Sequence, residues 1–182
     1  MTMMHTSGKM VDDLKSSDPI LQDLKYFESN IGGIIPFEIL IDTKKKNGVM
    51  QLKNIKKMSK LQDYMSEKFT IFSKPLSIVE LVKFAKQAYY NGNPEKYDLP
   101  KNDEAAFILS YMPGKGDVND SVAKKNPLHA FVDSTKQVTR ISYQMADVGL
   151  KEMKLLKADL QPLVDSLFPK DKYTVQLTGN SV

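Results

Sequence analysis

The chain has 182 residues, with 41% hydrophobic and 26% charged side chains, and its 26 Lys and Arg against 22 Asp and Glu leave a net charge of +4. This composition lies in the range of globular proteins, excludes an intrinsically disordered chain, and allows one domain or one domain with an insertion. Zero cysteines exclude a disulfide framework, a thiolate metal site and a cysteine nucleophile.

Residues 1–17 are polar, rich in methionine (Met1, Met3, Met4, Met10) and without periodicity, and they read as a flexible leader. They lack the apolar stretch of a signal peptide, which by itself points to the cytoplasm. Asp18 as N-cap and Pro19 at the first helical position predict a helix to about Asn30, with Ile20, Leu21, Leu24 and Phe27 as its apolar stripe and Gly32-Gly33 as its end. Ile35, Phe37, Ile39 and Ile41 then alternate with Pro36, Glu38, Leu40 and Asp42, the period of a strand. The apolar stretch containing them covers residues 34–41, far short of the ~20 residues that a membrane helix needs.

Asn47-Gly48 marks a turn, and Leu52, Ile55, Met58, Leu61 and Met65 recur at helical spacing opposite Lys53, Lys56, Lys57 and Lys60. Residues 69–72 have strand composition and end at Pro75. Ser77 and Glu80 form a capping-box pattern flanked by Leu76 and Leu81 as a hydrophobic staple. The helix it opens carries Ile78, Leu81, Val82, Phe84, Ala85, Ala88 and Tyr89 on a wide arc, predicting burial on more than one side, and Asn91-Gly92 closes it.

Residues 102–112 read as a further helix and 113–127 as a mobile loop rich in Gly, Asp and Asn. Residues 129–145 read as a hairpin turning near 134–137, with Thr139, Ile141, Tyr143 and Met145 alternating on its second strand. Met153, Leu156, Leu160, Leu163, Val164 and Leu167 share one arc of a last helix bent at Pro162, and Tyr173, Val175 and Leu177 mark the final strand. These elements predict an α+β two-layer sandwich with a ferredoxin-like, split βαβ core, helices on one face and an N-terminal helix. The domain spans 18–178, with a helical and loop insertion at 75–127 and a tail at 179–182.

Little in the chain has the spacing of chemistry. His5 and His129 have no His, Asp or Glu at metal-ligand spacing, and Gly114-Lys115-Gly116 is followed by no helix start that could hold phosphate. Asp12, Asp13, Asp42 and Asp147 occupy positions that turns and caps explain without acid–base work. No catalytic, cofactor-binding or metal residue is assigned, and no cofactor is expected. Tyr89, Tyr90 and Tyr97 line a groove or, as the favoured reading, close the core. The seven lysines from Lys44 to Lys60 match either contacts with an anionic partner or a solvated helix face, and the absence of arginine favours the solvated face.

Three stretches carry a wider resemblance: KYFESNIGGIIPFEILIDT at 25–43, PLSIVELVKFAKQAYYNGNPEKYDLP at 75–100, and FVDSTKQVTRISYQMADVG with the terminal YTVQLTG. In order and spacing the chain from about Asp12 to Ser181 resembles the first large extracytoplasmic loop of RND-superfamily exporters, in the group that handles hydrophobes and amphiphiles. The resemblance implies a porter subdomain between membrane helices 1 and 2, with ferredoxin-like βαβ elements, in a proton-driven exporter of hydrophobic or amphiphilic molecules, lipids among them. It implies a periplasmic location, replacing the cytoplasmic one, and as partners the exporter's own membrane helices, its second periplasmic loop and the substrate, with no nucleic acid. It implies no enzyme activity, transfers no substrate-contacting residues, and leaves residues 75–99 as the preferred moving or partner-facing part. The alternative is a free-standing binding module that uses the lysine-rich helix face; a small hydrolase built on His129 is a third.

Overall fold

A computed structural model of the protein describes residues 18–111 and 127–178. The leader with His5, Asp12 and Asp13, the glycine-lysine loop at 114–116 and the tail at 179–182 lie outside the described residues. The elements in chain order are α1 (Pro19–Ile31), β1 (Ile35–Asp42), α2 (Leu52–Lys68), α3 (Ile78–Tyr89), α4 (Asn102–Tyr111), β2 (Val138–Met145), α5 (Leu150–Leu167) and β3 (Thr174–Thr178). Short 3₁₀ turns occupy Pro94–Lys96 and Pro127–Ala130. The architecture is mixed α+β around a three-stranded sheet of order β2-β1-β3, in which β1 is antiparallel to both neighbours.

The alternation read in the sequence sets the sheet's two faces. Ile35, Phe37, Ile39 and Ile41 of β1 and Thr139, Ile141, Tyr143 and Met145 of β2 are all buried, while Glu38, Leu40, Arg140, Ser142 and Gln144 are half-buried or exposed. The apolar members of the buried set join Ile55, Met58, Leu61 and Met65 of α2, Ile78, Val79 and Val82 of α3, and Met153, Leu156, Leu160 and Val164 of α5 in one core. Helices therefore cover one face of the sheet. Because the burial of each such side chain is worth about 1.5–3 kcal/mol, this shared core is the main source of cohesion.

The entry to β1 requires glycine. Gly33 has φ +142°, and a Cβ there would lie 2.1 Å from the carbonyl carbon of Met145, inside any tolerable contact. That approach lets Ile34 N–H donate to Met145 O at 3.1 Å, one residue beyond the β1–β2 ladder. At the other end of β1, a Cβ on Gly48 would meet Thr43 Oγ1 at 2.1 Å, so the turn at Asn47-Gly48 closes only over a bare α-carbon.

Two predicted strands are reduced to isolated bridges, each for a visible reason. Residues 69–76 run antiparallel along the outer edge of β2 but pair only at Phe72 with Met145 and at Leu76 with Ser142. Between those points Pro75 has no N–H to give, and the Gln144 N–H goes to the Ser73 hydroxyl at 2.9 Å instead of a backbone carbonyl. Phe72 nevertheless anchors the segment, its ring centroid 5.0 Å from Phe37 and 5.3 Å from Tyr143. In the predicted hairpin, Pro127 opens a 3₁₀ turn that takes in His129, so Val132 alone bridges to Thr139. The Asp133 carboxylate organises the turn by accepting from the N–H groups of Thr135, Gln137 and Val138. Burial opposes its ionisation, but those bonds and the Thr135 hydroxyl outweigh it and hold the carboxyl below the ordinary aspartate value.

The start of α3 differs from the predicted box in a similar way. Ser77 caps it by accepting from Val79 N–H at 3.1 Å, but Glu80 reaches forward to Lys83 and Tyr97 rather than back to Ser77. Leu76 is 62% exposed, so no staple closes over the cap. The arc on α3 is buried on one side only: Phe84, Ala88 and Tyr89 are exposed.

Candidate functional site

The helical wheel of α3 carries a signal that the apolar arc concealed. Ile78, Val82 and Lys86 recur every four residues on its buried side, so the third position of that stripe is an ammonium group. Lys86 is only 3% exposed. Its Nζ lies 2.7 Å from Asp98 Oδ1 and 3.2 Å from Glu104 Oε2, and it donates to Leu99 O at 3.4 Å. Burial alone would lower the Lys86 pKa, but the bonds to Asp98 and Glu104 outweigh it and raise the value above that of an ordinary lysine.

Glu104 in turn accepts from Lys101 N–H at 2.9 Å and from the Tyr90 hydroxyl at 2.8 Å. These bonds, led by that of Lys101, and the Lys86 ammonium pull its carboxyl down to about 2. One ammonium thus ties α3 to the residues before α4 and to α4 itself. The tyrosines do not close the core. Tyr90 donates to Glu104, Tyr97 donates to Glu80 at 2.7 Å, and Tyr89 stacks edge-on against Tyr90 at 5.0 Å. Burial and the Glu80 carboxylate push the Tyr97 hydroxyl up to about 12.

Outside this network the α3 region leaves several large apolar side chains exposed. Leu76 and Phe84, 62% and 60% exposed, stand near Glu80 in sequence at four-residue intervals, and Tyr97 is joined to that same Glu80. Glu80 and Phe84 share a face of α3 at that spacing, whereas Leu76 precedes the Ser77 cap in the bridged segment, so Leu76, Phe84 and Tyr97 are three large apolar side chains left exposed on the 75–100 stretch. Composition hid this feature, because each of these residues alone reads as core.

The remaining candidates are spread across the molecule. The Asp42 carboxylate accepts from Lys44 N–H and Gln137 Nε2, a turn role, and Asp147 sits between β2 and α5. His129 is exposed at a cleft of about 330 Å³ formed with Leu40, Phe131, Asp133 and Arg140. In that cleft the Thr139 hydroxyl donates to Phe131 O, and Arg140 is held by Glu38 and Ala130 O. The lysine run divides. Lys57 turns inward, donating to Leu167 O at 2.6 Å over the ring of Tyr173, whereas Lys53, Lys56 and Lys60 are exposed. No group of three or more His, Asp or Glu able to hold a metal ion occurs among the described residues. The chain matches no family model, no curated protein and no solved structure.

Proposed function

We propose that this chain is an extracytoplasmic domain of a proton-driven RND-type exporter of hydrophobic or amphiphilic molecules, forming part of the substrate path and moving during transport. The single observation that carries the reading is the order of the sheet together with its bridges. From one edge to the other run β3, β1, β2 and the bridged segment at 69–76, so that β1–α2–segment and β2–α5–β3 interlock as two βαβ-like halves. On this reading the order corresponds to a ferredoxin-like, split βαβ core whose second strand is reduced to bridges around Pro75.

The stretches that resemble the exporters support it from a second side. Residues 25–43, the stretch around β2 and the terminal YTVQLTG are far apart in sequence, yet they supply β1, β2 and β3, the whole sheet. The remaining stretch, 75–100, supplies α3 and the exposed Leu76, Phe84 and Tyr97, an apolar surface of the kind a wall of an amphiphile path needs. A close-packed core passes displacement through the domain as a body, which suits a moving wall. No described helix is long and apolar enough to cross a membrane, and on this reading proton coupling resides in the exporter's membrane helices, with no catalytic role assigned to the domain. Its partners are those helices, the second extracytoplasmic loop and the substrate.

The test is transport by the full-length protein in proteoliposomes under an imposed proton gradient, read with an amphiphilic fluorescent dye. Gradient-dependent dye movement is expected, and Phe84→Asp, which places a charge on an already exposed position, should reduce it severalfold. Correctly inserted protein that moves no dye with or without the gradient would contradict the proposal.

A further inference from the structure

The antiparallel sheet gathers at one end of the molecule lysines that the sequence keeps apart. The β1 exit, the turn before β2, the loop after α5 and the first turn of α2 all meet there, since Asp42 pairs with both Val138 and Thr174. Three backbone bonds fasten the 43–49 loop to the β2 turn: Thr43 N–H to Gln137 O, Asn47 N–H to Thr135 O and Val49 N–H to Lys136 O. Lys44 Nζ donates to Lys170 O at 2.8 Å, fastening the same loop to the one after α5.

This end therefore carries Lys44, Lys45, Lys46, Lys53, Lys136, Lys170 and Lys172, drawn from four segments. The acids facing them are Asp42, Asp133, Asp165 and Asp171. Two of those are folded into turns as acceptors, and the other two meet lysines only at 3.7 Å (Asp165 to Lys170) and 3.8 Å (Asp171 to Lys172), Asp165 accepting from Gln161 Nε2 at 2.9 Å. Lys170 and Lys172 are 82% and 75% exposed. Lysine predominates over acid here, while the chain as a whole is only +4.

We infer that this lysine-rich end is a contact surface for an anionic lipid bilayer. The chemistry of the cluster favours a bilayer over other polyanions. It contains no arginine, so it has none of the forked donors that read fixed phosphate or carboxylate geometry. Its aromatic residue, Tyr173, is buried with its hydroxyl on Asn54, leaving no ring for nucleic-acid bases to stack on. Flexible point charges from several loops match a partner whose charge is itself spread out and mobile, as headgroups are, and each lysine near such a surface adds to the attraction. The inference stands apart from the exporter reading, because β1 begins and β3 ends at the opposite end of the sheet from these lysines.

The test is co-sedimentation of the chain with vesicles of equimolar phosphatidylglycerol and phosphatidylcholine, beside vesicles of phosphatidylcholine alone. Binding is expected to the anionic vesicles only and to weaken steeply as salt rises to physiological strength, where screening acts over about 8 Å. Replacing Lys45, Lys46, Lys170 and Lys172 together by Gln should lower the partition coefficient about tenfold or more. The control with Lys25, Lys74, Lys151 and Lys154 replaced by Gln has the same net charge and should bind nearly as the parent does. Equal loss in both variants, binding to neutral vesicles, or capture by polyglutamate in the absence of any vesicle binding would overturn the inference, the last pointing to an acidic protein instead.

Discussion

The sheet and the α3–α4 region are held together by different physics. Around Phe37, Ile39 and Ile141 the contacts are apolar, fully buried and drawn from both layers, so nothing there can loosen without exposing the core. Between α3 and α4 the main tie is one ammonium shared by two carboxylates, backed by Tyr90 and Lys101. An apolar core resists change in pH and fails as a unit. An ion network yields to the loss of one partner or one charge, and it can yield locally. The separable part is thus the stretch from Pro94 into α4, which carries Tyr97, while Leu76 and Phe84 belong to elements rooted in the core through Phe72, Ile78, Val79 and Val82.

The sharpest way to break this contrast is in the core. Phe37→Ala removes the largest fully buried side chain of β1 and should cost about 4 kcal/mol, read as a lower urea midpoint in a single transition. Lys86→Met should cost about 2 kcal/mol and act locally, raising amide exchange at residues 94–106 while β1 and β2 stay protected. Should Lys86→Met instead accelerate exchange evenly over sheet and helices, the two regions form one cooperative unit and the contrast is lost. Ser77→Ala deletes the cap on α3, for about 1 kcal/mol, with the loss concentrated at the exchange of its first turn.

Acid sharpens the comparison without mutation. Because the folded Glu104 carboxyl sits at about 2, below the ordinary glutamate value, its contribution is complete above that ordinary value and disappears as pH falls toward 2. Protection of α4 amides should therefore decline between about pH 4.5 and 2 ahead of β1, and Glu104→Gln should flatten that slope. The smallest effect expected has the opposite sign. The Tyr143 hydroxyl is buried without a hydrogen-bond partner, and burial together with the charges of Glu80 and Asp63 raises its pKa, so Tyr143→Phe should stabilise the fold by about 0.5–1 kcal/mol in urea unfolding.

Much of the fold was legible because period-two and period-3.6 patterns report which face is buried. The alternation in β1 and β2 and most of the stripes on α2 and α5 correspond to buried residues, Leu52, Leu163 and Leu167 being half-buried. What escaped depends on hydrogen-bond donors and on distant partners. Strand composition at 69–72 was real, but the following Pro75 and the Ser73 hydroxyl kept it from forming a ladder. Lys86 was overlooked because its acids lie 12 and 18 residues away, beyond any local pattern. The lysine run was grouped by contiguity, whereas the fold sends Lys57 inward and brings Lys136, Lys170 and Lys172 to Lys44. No catalytic or ligand residue was legible, and the site proposed as a path wall consists of residues whose exposure only tertiary structure reveals.

The most direct measurement of the central claim is the sequence of the intact gene on either side of this chain. The account predicts an apolar span of ~20 residues shortly before residue 1 and another shortly after residue 182, placing the domain between two membrane helices. An open reading frame without such spans on both flanks would contradict it.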